Sequence, residues 1–262
     1  MTNQLLEIKS LTVKYNGERN IIENINMSIG HKEIIGIVGE SGSGKTTLIR
    51  SIINLLSSGG KIVSGEIIFN GEDLRKYRKN KWKTIRGNEI CMIFQDAGSF
   101  LNPIQKIGVQ FVESIQSHID ISKQEAIKKA EETLIKMNFN DSSRIMDSYP
   151  FQLSGGMKQR VGIAMALAME PKLILADEST SALDVITQAQ VINELIELRN
   201  SFDTSIIIVT HNIGCAAYMA DRIMVMNHGK IVEFGLKEDV ITNPQEDYTK
   251  NLLNSIPELE GC

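Results

Sequence analysis

Cysteine is scarce and scattered in this chain. The three thiols, Cys91, Cys215 and Cys262, form no C-x-x-C pair in 262 residues, which argues against a zinc site or a disulfide framework and leaves reduced, structural thiols as the expectation. The four histidines, His31, His118, His211 and His228, include no i,i+4 pair, so a histidine-based metal site has little support. No apolar run approaches the roughly 18 residues that suggest a membrane span. The N-terminal stretch carries Glu7 and lacks a long apolar core, unlike a signal peptide. A soluble, cytoplasmic chain is expected. Positive charge is not in excess either: 28 Lys and Arg against 32 Asp and Glu leave a formal net charge of -4, so the average surface would repel a polyanion and nucleic acid is not expected as the main partner.

What is present is ordinary for a globular protein, 42% hydrophobic and 23% charged, enough to bury a core as one large domain or two small ones. The chain is organised around Gly39-Glu40-Ser41-Gly42-Ser43-Gly44-Lys45-Thr46. That octapeptide follows the apolar run Ile34 to Val38 and precedes helical spacing from Thr47 to Leu56. This is a strand, a phosphate-cradling loop and a helix. Glycines let the backbone turn and aim N–H groups inward, the helix N-terminus adds a positive dipole end, and Lys45 supplies a mobile ammonium. Thr46 would place its hydroxyl on the magnesium that bridges the β- and γ-phosphates of a nucleoside triphosphate. Two rival motifs fail. Thr47 stands where a dinucleotide fingerprint wants its third glycine, and Ser43 stands where a nucleophile elbow wants glycine.

Before the loop, Leu11 and Val13, then Ile25, Met27 and Ile29, alternate with polar residues as half-buried strands do, which predicts a small antiparallel sheet. Tyr15 ends the first of these strands, where its ring can stack on a flat base or cover the core. Ser57-Ser58-Gly59-Gly60 is expected to terminate the helix after the loop, and Gly65 to Phe69 with Asn70-Gly71 reads as a strand entering a tight turn. Arg75, Lys76, Arg78, Lys79, Lys81, Lys83 and Arg86 form the one basic run, with Tyr77 and Trp82 between them. It reads as a solvated face with tucked rings, the alternative being contact with lipid headgroups or RNA.

Ile90 to Phe94 is a buried-strand candidate that delivers Gln95 to a sheet edge. Ile121 to Met137 reads as an amphipathic helix: Ser122 and Glu125 make a capping box, and Ile127, Ala130, Leu134 and Met137 form an apolar face. Leu153-Ser154-Gly155-Gly156 opens another helix, whose start is either an N-cap or a second anion-binding arrangement. Leu173 to Ala176 is an apolar strand ending in Asp177-Glu178. Asp177 can hold magnesium through its water shell while Glu178 orients or deprotonates an attacking water. Ser181-Ala182-Leu183-Asp184 and a helix from Val185 to Arg199 follow. The buried strand Ser205 to Val209 then ends at Thr210-His211, where the imidazole can reach a terminal phosphate or serve structurally. Arg222 to Met226 and Ile231 to Phe234 make a closing hairpin.

Taken together, these motifs resemble the ATP-binding cassette (ABC) ATPases over nearly the whole chain. The resemblance implies an α/β P-loop NTPase core with a mainly parallel sheet, an N-terminal antiparallel β-subdomain and an inserted α-helical subdomain. It makes the chain one domain, 1–262, with core roughly 1–96 and 170–235, helical insertion roughly 97–169 and a tail at 236–262. It also implies ATP and Mg2+ as ligands. Tyr15 would stack on adenine; Gly39 through Thr46, with Thr47, would hold the phosphates; Thr46, Gln95 and Asp177 would hold magnesium. Glu178 would be the catalytic base, aided by Gln95 and His211, and Asp184 would couple two sites. Leu153, Ser154, Gly155, Gly156 and Gln159 would face ATP bound by a second, head-to-tail ATPase subunit.

Phe94-Gln95-Asp96 with Leu101-Asn102-Pro103, the stretch Leu153 to Leu167, and Asp247-Tyr248-Thr249 with Leu252 to Pro257 look like the dipeptide, oligopeptide and nickel importer ATPases. That likeness implies two transmembrane permease subunits, an extracytoplasmic substrate-binding protein, and a peripheral place on the cytoplasmic face of the membrane. Docking of the permeases is expected near Phe100 to Pro103. Glu246 and Asp247 depart from the subfamily's usual His-Pro, and Ala97 and Ser179 stand where proline is usual. The short stretch after Pro257 leans slightly toward the nickel-type members.

Overall fold

The computed structural model describes residues 4–17, 19–94, 100–177 and 204–255, together with Ile196 and Arg199. Gln95, Asp96 and Ala97, Glu178 through Asp184, most of the expected helix from Val185, and the tail with Cys262 lie outside the described residues. Among the described residues the strands are β1 (Gln4–Tyr15), β2 (Arg19–Gly30), β3 (Ile34–Val38), β4 (Gly60–Phe69), β5 (Glu72–Asp73), β6 (Ile90–Ile93), β7 (Leu173–Asp177), β8 (Ser205–Thr210), β9 (Arg222–Asn227) and β10 (Lys230–Leu236). The helices are α1 (Lys45–Ile52), α2 (Lys79–Ile85), α3 (Ile107–His118), α4 (Lys123–Lys136), α5 (Ser142–Asp147), α6 (Gly155–Leu167), α7 (Ile213–Met219), α8 (Lys237–Thr242) and α9 (Asp247–Asn254). They fall into two compact units, Met1–Arg78 with Ser205–Cys262, and Lys79–Thr204. None of the described helices is long and apolar enough to cross a membrane.

The first unit contains two sheets. One is antiparallel, in the order β2-β1-β4-β5. Its pairs Leu11–Ile25, Ile8–Met27 and Leu6–Ile29 set buried side chains opposite one another, as the alternation predicted. In the other sheet β3 runs parallel to both β8 and β9, and β10 returns antiparallel to β9. Every residue of β3 and β8 is buried, which is why both read as continuous apolar runs. Each fully buried isoleucine in them contributes about 1.5–3 kcal/mol of hydrophobic stabilisation. The one hydroxyl at the start of β8 is satisfied, since Ser205 Oγ donates to the Gly30 carbonyl at 2.8 Å.

Helix α1 departs from expectation at both ends. It starts at Lys45 and stops at Ile52, well before Ser57-Ser58-Gly59-Gly60. The reason is Asn54, which takes a left-handed conformation at φ 52°. Its N–H donates to Ser51 O at 3.1 Å, and the N–H of Leu55 donates to Arg50 O at 2.8 Å. That pair of bonds satisfies the last carbonyls and ends the helix. Strand β4 correspondingly begins at Gly60, ahead of the expected Gly65.

The second unit holds helices α2 to α6 and the parallel pair β6–β7. The capping box at α4 forms as read: Ser122 Oγ accepts from the Glu125 N–H at 3.3 Å, and Glu125 Oε2 accepts from the Ser122 N–H at 2.9 Å. Hydrogen bonds from Ser122 hold the Glu125 carboxyl below its ordinary value. Ala130, Leu134 and Met137 are fully buried while Ile127 is half-buried, so the predicted apolar face is the packed one. Burial on β6 pushes the Cys91 thiol up to about 12, and its Sγ lies 3.3 Å from Ala166 O. That is an inert, structural thiol. The basic residues Arg75, Lys76, Arg78, Lys79, Lys81 and Lys83 are exposed, whereas Trp82 is buried and carries the Arg86 guanidinium 4.6 Å above its ring. The run therefore forms solvated surface with its indole tucked in.

Candidate functional site

In β3 and β8, Val38 stands opposite Thr210. The segments that follow, Gly39 onward and His211 onward, therefore leave the same edge of one sheet, which is where parallel α/β sheets place their ligands. The loop from Gly39 to Lys45 is built against its neighbours so closely that two of its glycines are obligatory. A Cβ on Gly39, at φ 149°, would lie 2.1 Å from Met226 O, and one on Gly44, at φ 101°, would lie 2.6 Å from Ile22 Cγ2. The β9–β10 turn supports the loop from outside, with the Gly229 N–H donating to Ser43 O at 3.0 Å.

Gly44 is the N-cap of α1 and brings no side-chain cap, and no acidic residue lies in the first turn. A helix start left in that condition offers backbone donors and a positive dipole end to an anion. Lys45 is 5% exposed, and its ammonium donates to Gly39 O at 2.6 Å and to Glu40 O at 2.8 Å. A cation is thus already seated inside the loop. Triphosphate oxygens fit this donor set, and Thr46, the next residue, carries a hydroxyl of the oxygen type that a hard divalent cation takes.

His211 is exposed, and the start of α7 is capped by its neighbour: Asn212 Oδ1 accepts from the Cys215 N–H at 3.2 Å. Tyr15 ends β1, two residues beyond Val13, the partner of the same Ile22 that closes on Gly44. Its hydroxyl accepts from the Ser57 N–H at 3.3 Å and its ring abuts Gly60, so the ring is half-buried and oriented.

In the second unit, Ile93 pairs with Ala176, so Phe94 and Asp177 emerge at one edge of the β6–β7 pair. Asp177 is buried. Gln95 and Glu178, which follow them in sequence, lie outside the described residues, as does Asp184. Ser154 is the N-cap of α6, its Oγ accepting from the Met157 N–H at 3.3 Å. Ser154 and Gly155 are exposed, and the space beside Gly155 is open. Gln159 is 3% exposed and shares the packed face of α6 with Ile163 and Leu167, one and two turns on, and Leu153 is buried as well.

Two contributors escaped the sequence reading. Gly229 holds the phosphate loop from the β9–β10 turn, and the hydroxyl of Tyr248 accepts from the Glu40 N–H at 3.0 Å. These partners are separated from the loop by well over a hundred residues, and no local pattern links them.

The fold and this loop define a P-loop nucleotide-binding protein. The chain belongs to the ABC transporter family, which it matches over residues 22–181, and is the ATP-hydrolysing, nucleotide-binding kind of subunit. It is 42% identical to the oligopeptide transport ATP-binding protein AppD of Bacillus subtilis, over 98% of this chain and 80% of that one. Among solved structures it is similar to CbiO1 of Clostridium perfringens, part of an ABC transporter complex, at a TM-score of 0.81 and 27% identity over 92% of each chain. A dimeric ATP-binding cassette in a post-hydrolysis state with ADP and Pi bound is similar at a TM-score of 0.76 and 30% identity, over 88% of this chain and 98% of the other.

Proposed function

We propose that the chain powers peptide import, binding ATP and Mg2+ at the loop Gly39 to Thr46 and passing the energy of hydrolysis to separate membrane subunits. The observation that carries the nucleotide reading is the uncapped start of α1 with Lys45 seated in its loop, at the sheet edge from which His211 also emerges. The peptide cargo follows the similarity to AppD, an oligopeptide transport protein; nickel complexes are the second cargo class, by the subfamily resemblance.

Backbone N–H groups of the loop and Lys45 hold the β- and γ-phosphates, with Thr47 beside them, and Tyr15 stacks on the adenine. Thr46 and Gln95, with Asp177 through water, would hold magnesium, which when bound would supply positive charge against the phosphate oxygens. Glu178 takes the proton of the attacking water, and His211 donates to the γ-phosphate. Ser154, Gly155 and Gly156 bind the ATP of a second cassette packed head to tail, and Asp184 couples the two sites. That a similar cassette is dimeric with ADP and Pi bound supports the pairing of two cassettes.

Docking of two permease subunits falls to the second unit, at the peripheral, cytoplasmic face of the membrane. Phe100 is 66% and Ile104 82% exposed, unusual for large apolar side chains. The same unit has a cleft of about 520 Å³ lined by Val109, Val112, Ile127 and Met146, with Lys106, Lys123, Glu113, Glu131 and Asp147 giving it charges of both signs. An apolar floor with a charged rim of mixed sign suits a loop of a protein partner. A substrate-binding protein completes the importer outside.

Side-by-side uptake of labelled peptides and labelled nickel, in cells with the wild-type chain or Glu178→Gln, tests the assignment. Loss of peptide uptake alone is expected. Loss of nickel uptake alone would move the cargo to the second class, and loss of neither would remove the transport reading. Ser154→Arg is expected to leave ATP bound to its own chain yet abolish nucleotide-dependent dimerisation in the Glu178→Gln background, read by size-exclusion chromatography. A persisting shift to dimer would refute the head-to-tail arrangement.

A further inference from the structure

The hydrogen bond from the Glu40 N–H to the Tyr248 hydroxyl, 3.0 Å long, joins the phosphate loop to α9, an element 208 residues away that otherwise has no part in the nucleotide site. The same peptide group is engaged on its other side, where Gly39 O accepts from Lys45 Nζ at 2.6 Å, and so is the peptide after it. Glu40 O accepts from Lys45 Nζ at 2.8 Å and from the Ser43 N–H at 3.2 Å. Glu40 is thus the point at which the entrance of the loop, its lysine and the distant helix meet.

The tyrosine is held by a firm scaffold. Thr249, next to it, is fully buried, which pins α9 to the first unit. The chain entering α9 is tied down by Glu233 of β10, whose carboxylate accepts from the Gln245 N–H at 2.9 Å and from the Glu246 N–H at 3.4 Å. Tyr248 itself is half-buried. A phenol on such a base fixes the atom it bonds, whereas water at the same N–H would not.

We infer that Tyr248 is a positioning residue of the nucleotide site: its hydroxyl holds the Glu40 peptide so that the loop is already shaped to receive phosphates before ATP arrives. This rests on the reading of Gly39 to Thr46 as the phosphate loop. The hydroxyl bonds the Glu40 N–H at the entrance of the loop, which is then spent on the phenol, and leaves the other backbone donors and Lys45 to the phosphates. It acts through Glu40, by raising the fraction of loops in the receptive shape, and apparent affinity scales with that fraction. Because ATP and the transition state for its hydrolysis need the same loop shape, the effect falls on binding and spares the chemical step.

Tyr248→Phe keeps the ring and deletes the bond. With the purified full chain, the expected result is a KM for ATP, and a calorimetric Kd, raised about three- to tenfold, with kcat within about twofold of wild type. The rise in melting temperature produced by a fixed ATP concentration should shrink, since a purely structural role would lower the melting temperature equally with and without ATP. An unchanged or lowered KM, an undiminished ATP-induced shift, or a fall confined to kcat would each overturn the inference. Failure of the wild-type chain to bind ATP would instead overturn the phosphate-loop reading beneath it.

Discussion

Lys45→Ala is expected to weaken ATP binding about 10- to 150-fold, the equivalent of about 1.5–3 kcal/mol for charged hydrogen bonds. The ammonium is buried and held by the Gly39 and Glu40 carbonyls inside a loop packed closely at Gly39 and Gly44. Its removal takes away the side-chain cation seated in the loop and its bonds to both carbonyls, of which Glu40 O keeps the Ser43 N–H. The backbone donors at the start of α1 remain, which is why binding should fall rather than vanish. Isothermal titration of the variant with ATP reads the effect directly. Wild-type affinity in a variant with an unchanged melting temperature would contradict the phosphate assignment.

A larger effect on rate is expected from Glu178→Gln. Turnover should fall by roughly two to four orders of magnitude, the usual worth of a positioned general base, while ATP binding survives because the amide replaces the carboxylate without changing its shape. The prediction stems from the adjacency of Glu178 to Asp177, the buried residue that ends β7. Single-turnover hydrolysis measured beside equilibrium binding separates the two effects. Turnover within a fewfold of wild type would take Glu178 out of that role. The two variants are complementary, since Lys45→Ala is chiefly a binding defect and Glu178→Gln a chemical one.

Much of this was legible because the signals are local. A five-residue apolar run before a glycine-rich octapeptide is a strand before a turn, and β3 occupies the residues that the run marked. Serine three positions before glutamate is a helix start, and Ser122 and Glu125 exchange the bonds that spacing allows. Alternation in the first thirty residues encodes a half-buried antiparallel sheet, because side chains on a strand point to opposite faces in turn. The end of α1 was misread for an equally local reason: paired serines and glycines look like the stronger stop, yet Asn54 adopts the left-handed conformation first and closes the helix.

Gln159 and Tyr248 show the other side of the boundary. Their surroundings were not encoded next to them. Gln159 stands in a stretch whose likeness points it at a second subunit's ATP, and only the packing of α6 shows it buried with Ile163 and Leu167. Asp247-Tyr248-Thr249 carries a subfamily likeness, and only the packing of α9 sets the tyrosine hydroxyl on Glu40.

The sequence by itself determined the chemistry on offer: a phosphate loop with its lysine, a paired Asp177 and Glu178 after an apolar strand, a histidine after another, and a serine-led helix start. Each is a pattern of residue types at short spacing, and short spacing suffices because strand, turn and helix geometry are local properties of the backbone. Only the tertiary structure decided which of these share an edge, as Val38 opposite Thr210 does for the loop and His211, and which distant groups hold the loop in shape, as Gly229 and Tyr248 do. Register between strands and contacts across a hundred residues or more arise when separate apolar faces are buried together, and that collective burial leaves no mark on any one stretch of sequence.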